Sequence, residues 1–179
     1  MVTQIFGDEN KFAICYKPRP KWNTQSQVLI YCHLMLGGTI IGNPDEVDML
    51  GTCVGDLERL RNRVLKNEGK LRDTLFDGLN EDEILELIFK SNQLQEEFNP
   101  LYAHLPVQPN NDLWCKHTIS LAESTDQYAI VLFEEKDRLK FLWQKWEERR
   151  KGLTTLRSVL VDHKVFYSTI ESFLAFCKK

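Results

Sequence analysis

The sequence predicts an α+β fold in which a mainly antiparallel sheet is covered by helices and completed by an amphipathic C-terminal helix. Three observations predict it. A strand-rich block with a glycine turn precedes any helix, helical apolar spacing follows, and β-type runs then return before a last helical stripe. Residues 1–179 contain neither a repeat nor a linker-like stretch. We therefore expect one domain.

The opening block predicts a hairpin sheet. Phe12–Tyr16 is rich in apolar and aromatic residues, and Val28–Leu36 is a second strand-like run. Gly37-Gly38 can supply the positive φ of a tight turn, after which Thr39–Ile41 returns as a third strand.

A proline-containing stretch separates the first two predicted strands. Residues 17–21 include two prolines, which lack the amide that a central strand donates. We expect an exposed loop here. Trp22 either anchors this loop or is left for a binding partner.

The middle of the chain changes to helical spacing. One helix is indicated by an apolar stripe at i, i+4, i+7 and i+11, formed by Cys53, Leu57, Leu60 and Val64. A second helix begins at Asn80, which can cap the free amides while Glu83 reaches back. Ile84, Leu87 and Ile88 give this helix an apolar face. Three prolines between residues 98 and 111 predict an irregular connection.

The second half returns to β structure. Leu113–Leu121 alternates in part and predicts a strand, and the apolar run Tyr128–Phe133 predicts a central one. Glu134–Asp137 is the turn that follows. Leu139–Trp146 also has helical spacing, but the short turn and the aromatic residues favour a strand.

The last segment predicts a strand and then a helix. Leu156–Val161 is the strand, and Asp162 can cap the helix after it. The apolar stripe of this helix consists of Phe166, Ile170, Phe173, Leu174 and Cys177.

Composition predicts a reduced cytosolic protein. The formal net charge is −3, which does not suggest a general nucleic-acid binder. The N-terminus lacks the pattern of a signal peptide, and no apolar run approaches the ~18 residues of a membrane-spanning helix. The five cysteines are an odd set without C-x-x-C spacing, as expected of free thiols.

The sequence does not predict a catalytic or metal centre. Phosphate-loop and dinucleotide-binding glycine patterns are absent, and no carboxylate pair is fixed at a spacing that predicts acid–base work. Cys115 and His117 would share one face of a strand, but two ligands alone do not make a metal site. We therefore expect neither enzyme activity nor a cofactor.

Two charged regions could contact a partner. Acidic residues surround the start of the second helix, namely Asp73, Asp77, Glu81, Asp82, Glu83 and Glu86. Basic residues from Arg138 to Lys151 alternate with Phe141, Trp143 and Trp146, as on a nucleic-acid platform, although Glu147 and Glu148 argue against that use. Both regions could equally be solvated surfaces.

The chain resembles the immunity protein 42 family of bacterial polymorphic toxin systems. The resemblance rests on I-F-G-D-x-x-K-F-A-I from Ile5, on G-G-T-I-I-G-N from Gly37, and on the leucine- and arginine-rich helix that follows. Tyr128–Trp143 resembles the sheet of the family's second half. Asn43 stands where an aspartate is expected after the glycine, a departure that leaves the hairpin intact.

This resemblance implies an antidote that binds one cognate toxin domain in the cytosol without chemistry of its own. The toxin would belong to a system such as contact-dependent growth inhibition. Many toxins of these systems are nucleases, including ones that cleave transfer RNA, and their clefts are basic. The resemblance thus favours a toxin-binding face made of Asp73, Asp77, Glu81, Asp82 and Glu86, with Trp22 as a further contact. A different protein-binding module and an unrecognised enzyme are the alternatives.

Overall fold

The structure is a computed structural model that describes residues 2–19, 28–92, 100–106, 112–153 and 155–178. Its described strands form two antiparallel sheets, which agrees with the predicted α+β class. In the first sheet the order is β1 (Gln4–Asp8), β2 (Phe12–Pro18), β3 (Leu29–Leu36) and β4 (Thr39–Ile41), and β5 (Asp48–Met49) pairs with β3. The second sheet has the order β6 (Tyr128–Glu135), β7 (Arg138–Lys145) and β8 (Arg157–Val161).

Five α-helices connect or cover these sheets in the described part of the chain. They are α1 (Leu50–Lys66), α2 (Glu81–Lys90), α3 (Asp112–His117), α4 (Trp146–Arg150) and α5 (His163–Cys177). The apolar stripe predicted for α1 is buried along its whole length. The predicted capping box of α2 is present, because Asn80 Oδ1 accepts the Glu83 amide at 3.0 Å and Glu83 Oε2 accepts the Asn80 amide at 2.9 Å.

The opening block contains one strand more than the sequence predicted. Gly37 and Gly38, at φ +55° and +76°, form the predicted turn between β3 and β4. The chain before β3 forms two strands, β1 and β2, because it reverses direction at residues 9–11. Gly7 allows β1 to lie close to α5, because a Cβ there would be 2.4 Å from Thr169 Oγ1.

The predicted strand Leu113–Leu121 is wrong. Its first half is α3, and Thr118 forms only an isolated bridge to Val131. Helical spacing places Leu113 and His117 on one buried face, which outweighs the partial alternation that favoured a strand. The strand prediction for 139–146 is confirmed, apart from Trp146, which opens α4.

The second sheet lies between two apolar layers. Alternate residues of β6 and β7 face the first sheet, where the rings of Phe12 and Phe141 stack with centroids 5.4 Å apart. The opposite residues, among them Val131 and Phe133, pack against α2 and α3. Both faces of this sheet are therefore buried, which explains the continuous apolar run of β6.

Helix α5 completes the core beside the first sheet. Phe166, Ile170 and Phe173 are fully buried, as the stripe predicted, and Phe173 meets Phe6 of β1 edge-on at 5.4 Å. Asp162 occupies the N-cap position, but its side chain makes no capping hydrogen bond and instead lies 3.6 Å from Lys11 Nζ.

One buried carboxylate joins three parts of the chain. Glu134, near the end of β6, accepts the amides of Gly69 at 2.9 Å and Leu71 at 3.1 Å. His163 Nε2, at the start of α5, lies 3.2 Å from the same carboxylate. The loop after α1 and the first turn of α5 are thereby fixed to the second sheet.

We expect Phe173→Ala to lower the free energy of unfolding by about 3–5 kcal/mol, because it removes a fully buried ring and leaves a cavity between α5 and the first sheet. Chemical denaturation of the two proteins measures this loss. Leu65→Ala is the control, since Leu65 is 60% exposed on α1. Equal losses in both variants would contradict the packing of α5 described above.

Candidate partner-binding site

The first acidic residues of the predicted binding face lie on the loop before α2. Asp73 caps a short 3₁₀ turn, where its Oδ1 accepts the Leu75 amide at 3.1 Å. The Asp77 side chain is 63% exposed and pairs with Arg72 at 2.7 Å. Both carboxylates therefore face solvent or a partner, although each already has a local contact.

The first turn of α2 holds a second group of carboxylates. Glu81 pairs with Lys140 of β7 and accepts Ser158 Oγ of β8 at 3.3 Å. Burial would lower the pKa of Lys140, but the carboxylates of Glu81 and Glu135 outweigh it and raise this pKa. Glu81 thus has a structural role, because it attaches α2 to the second sheet.

Glu86 is buried rather than presented to a partner. Its side chain is 3% exposed and pairs with Arg149 of α4, whose guanidinium lies 5.0 Å from the Phe89 ring centroid. Removing either charge would leave the other buried and unpaired. The structure therefore corrects the expectation that Glu86 lies on the accessible acidic face.

Asp82 is the carboxylate of this helix that lies beside exposed apolar side chains. It is half-buried and forms none of the ion pairs found among the described residues. Burial raises the pKa of its carboxyl, and the neighbouring Glu81 and Glu83 raise it further. A cation from a partner would relieve this unfavourable environment.

Asp82 lines a small crevice of about 60 Å³ between α2, α4 and the 100–105 segment. Leu101 and Leu153 are part of the same lining and are 75% and 49% exposed. The segment is fixed from beneath by Lys90, whose Nζ donates to the Tyr102 and Leu105 carbonyls at 2.9 Å each. Sequence reasoning missed this combination, because Leu101 and Leu153 are far from Asp82 along the chain.

The basic aromatic region is not the platform that its sequence suggested as an alternative. Phe141 and Trp143 are buried in the core, so their rings cannot stack on bases. Trp146 is half-buried and lines an open groove of about 720 Å³ with Trp114, Lys145 and Arg150. Asp126 and Glu147 also line this groove, which makes its charge mixed.

Cys115 and His117 do not come together as ligands. Cys115 is exposed on α3, whereas His117 is fully buried with its Nδ1 2.9 Å from the Leu132 carbonyl oxygen. Burial lowers the pKa of His117 to about 4, and the hydrogen bond only partly opposes this. Within the described ranges, no group of three or more potential ligands could hold a metal ion.

The two remaining sequence predictions concern Trp22 and membrane-spanning helices. Trp22, the further contact suggested for a partner, lies outside the residues that the structure describes. No helix of the described segments is both long and apolar enough to span a bilayer.

The chain belongs to the immunity protein 42 family, whose sequence profile matches residues 1–176. This confirms the resemblance drawn from the opening block.

A solved structure supports the same fold. The crystal structure of CdiI from Burkholderia dolosa AUO158 is similar to this chain with a TM-score of 0.65 at 20% sequence identity. The similarity covers 97% of this chain and 99% of the other. The comparison with curated proteins gave no match.

We expect the buried His117 to make the fold sensitive to acid. Its pKa is about 4 in the folded protein against 6.5 ordinarily, so the unfolded chain binds more protons between these values. The stabilisation from a neutral His117 is complete above pH 6.5 and decreases as the pH falls towards 4, by about 3 kcal/mol in all.

Unfolding free energies measured from pH 7 to pH 4.5 test this expectation. His117→Gln should show a shallower dependence on pH than the wild type, because glutamine does not titrate in this range. If the unfolding free energies of wild type and His117→Gln depended on pH in the same way, the expected role of His117 would be contradicted.

Proposed function

We propose that this protein protects its host cell by binding a cognate toxin domain in the cytosol, as the immunity protein of a contact-dependent growth inhibition system. Membership of the immunity protein 42 family over residues 1–176 is the observation that carries this proposal. The whole-length similarity to a CdiI protein supports it. The protein acts by occupying a surface of the toxin and not by catalysis.

We further propose that the toxin is a nuclease, with transfer RNA as a candidate substrate. A nuclease cleft is basic because it binds phosphates, and an acidic surface attracts such a cleft over a distance. The loop before α2 and the crevice beside it provide the carboxylates of Asp73, Asp77 and Asp82. Glu81 and Glu86 support this surface through their pairs with Lys140 and Arg149.

A lysine or arginine side chain of the toxin would pair with Asp82 at the mouth of the crevice, which at about 60 Å³ is too small to enclose the whole side chain. Its aliphatic stem would lie between Leu101 and Leu153, and its cation would reach Asp82. Burial of both leucines by the partner would add an apolar contribution to the ionic one. These contacts give the acidic surface a defined anchor.

Co-expression with the toxin domain encoded beside this protein tests the function. We expect cells that make both proteins to grow and cells that make the toxin domain alone to stop growing. Assays of the isolated toxin domain on DNA and on transfer RNA identify its substrate. A soluble, folded protein that leaves the cells fully sensitive would contradict the immunity function.

The interface is tested by neutralising two acidic residues. Asp77→Asn/Asp82→Asn should slow association with the toxin roughly tenfold at low salt and weaken its dependence on ionic strength, because the attraction is electrostatic. Glu123→Gln/Asp126→Asn removes the same charge from exposed residues elsewhere and should keep the wild-type rate.

Stopped-flow measurements at two ionic strengths give the required rates. Wild-type association by the Asp77/Asp82 variant would exclude the acidic surface. If only Trp22→Ala slowed association, the interface would instead be assigned to the proline-containing loop.

A further inference from the structure

The second sheet ends in two edge strands, β6 and β8, whose outward backbone groups follow from the strand register. The two-residue turn between β6 and β7 consists of Lys136 and Asp137, at φ +50° and +61°. A turn of this kind closes on a hydrogen-bonded pair, which here is Glu135 and Arg138. Every second residue of β7 from Arg138 onward therefore bonds to β6, and the residues between them bond to β8.

The outward backbone groups of β8 belong to Ser158 and Leu160. The β7 residues that bond to β8 are paired by the register with Arg157, Val159 and Val161. The N–H and C=O groups of Ser158 and Leu160 therefore point away from β7. Neither residue has another backbone hydrogen bond within the described part of the chain. Ser158 is exposed and Leu160 is half-buried, as expected of an edge that other segments leave open.

Contacts at the opposite edge of the sheet agree with this register. By the same alternation, Ile130 and Leu132 of β6 point away from β7. The Ile130 carbonyl accepts the Ile119 amide at 2.9 Å, and the Leu132 carbonyl oxygen lies 2.9 Å from His117 Nδ1. The chain therefore covers the β6 edge itself, whereas the described segments leave the β8 edge unpaired.

Strand β8 also lacks the features that protect edge strands from pairing with other chains. Such strands are blunted by prolines, bulges or glycines, or are very short. In the first sheet, β1 contains Gly7 at φ +98°, and β4 has three residues. By contrast, β8 is a regular strand of five residues without proline or glycine, and Arg157 is its one charged residue. An edge of this kind is a template for a further strand.

We propose that an extended segment of the toxin pairs with β8 and continues the second sheet as a fourth strand. This inference rests on the proposed immunity function and gives it a backbone contact. Ser158 and Leu160 supply two donors and two acceptors to that segment. These hydrogen bonds fix the direction and register of the toxin segment, while neighbouring side chains select its sequence.

The surroundings of β8 favour a basic segment. Ser158 Oγ donates to Glu81 at 3.3 Å, so the added strand runs beside the first turn of α2. The Glu81 side chain is 39% exposed, and a lysine or arginine on the same face of the added strand lies beside it. Asp82 follows in the same turn, so a single partner can contact both the β8 edge and the acidic surface.

Pairing between β8 strands of two copies of this chain is disfavoured by charge. A two-fold axis at Val159 would place Ser158 opposite Leu160 of the other copy. The two Ser158 residues would then be diagonal neighbours, about 7–8 Å apart on one face. Each Ser158 contacts the first turn of α2, which carries three carboxylates. Two acidic turns would thus be brought together and repel each other.

Hydrogen exchange measured by NMR tests the added strand without any substitution. In the free protein the amides of Ser158 and Leu160 should exchange rapidly, whereas those of Val159 and Val161 should be protected by β7. Toxin binding should slow exchange at Ser158 and Leu160 at least about tenfold. Unchanged exchange in the toxin complex would overturn the proposal. Protection that appears in the free protein as its concentration rises would also overturn it, because a second copy would then occupy the edge.

A proline at position 158 tests the same contact by affinity. Ser158→Pro removes an outward amide, which an edge strand tolerates, so circular dichroism should show a folded protein. Its dissociation constant for the toxin should be about tenfold higher than that of Ser158→Ala, which loses the same hydroxyl group but keeps the amide. Equal dissociation constants for these two variants would overturn the proposal. If Ser158→Pro does not fold, the hydrogen-exchange result decides.

These outcomes are distinguishable from failure of the immunity function. If the wild-type protein neither binds the toxin nor protects cells, the immunity function fails and the added strand fails with it. If the wild-type protein binds and protects while exchange at Ser158 and Leu160 is unchanged, the immunity function stands and the added strand alone is excluded.

Discussion

The second sheet is stable only if both of its faces are covered, and this requirement organises the rest of the molecule. Phe133 and Phe141 point to opposite sides of this sheet, and both are fully buried. One side is covered by the first sheet together with α1 and α5, and the other side is covered by α2 and α3. The core face of the first sheet is therefore buried in this contact.

The sequence contained most of the information for this arrangement, because the relevant signals are local. Turn glycines, the capping box of α2 and the stripe of α5 depend on residues close together in the chain, and each was predicted correctly. The strand prediction for residues 113–121 was wrong because a short segment can fit both the helical and the strand periodicity. Its structure is decided by packing of Leu113 and His117 beside α2 and β6, which is a long-range contact.

The candidate site was less predictable than the fold, for a related reason. Sequence shows where carboxylates are concentrated but not which of them are already paired. Lys140 and Arg149 come from the second half of the chain and neutralise Glu81 and Glu86. The exposed leucines beside Asp82 also come from distant segments, so the crevice could not be predicted from the sequence.

The position of α5 has a consequence for biosynthesis. This helix supplies Phe166 and Phe173 to a core whose other members were made much earlier, beginning with Phe12. His163 also closes the polar contact at Glu134. A nascent chain halted before residue 163 would lack the contacts of this helix with Phe6, Phe12 and Tyr16, so the first sheet completes its core only after α5 has left the ribosome.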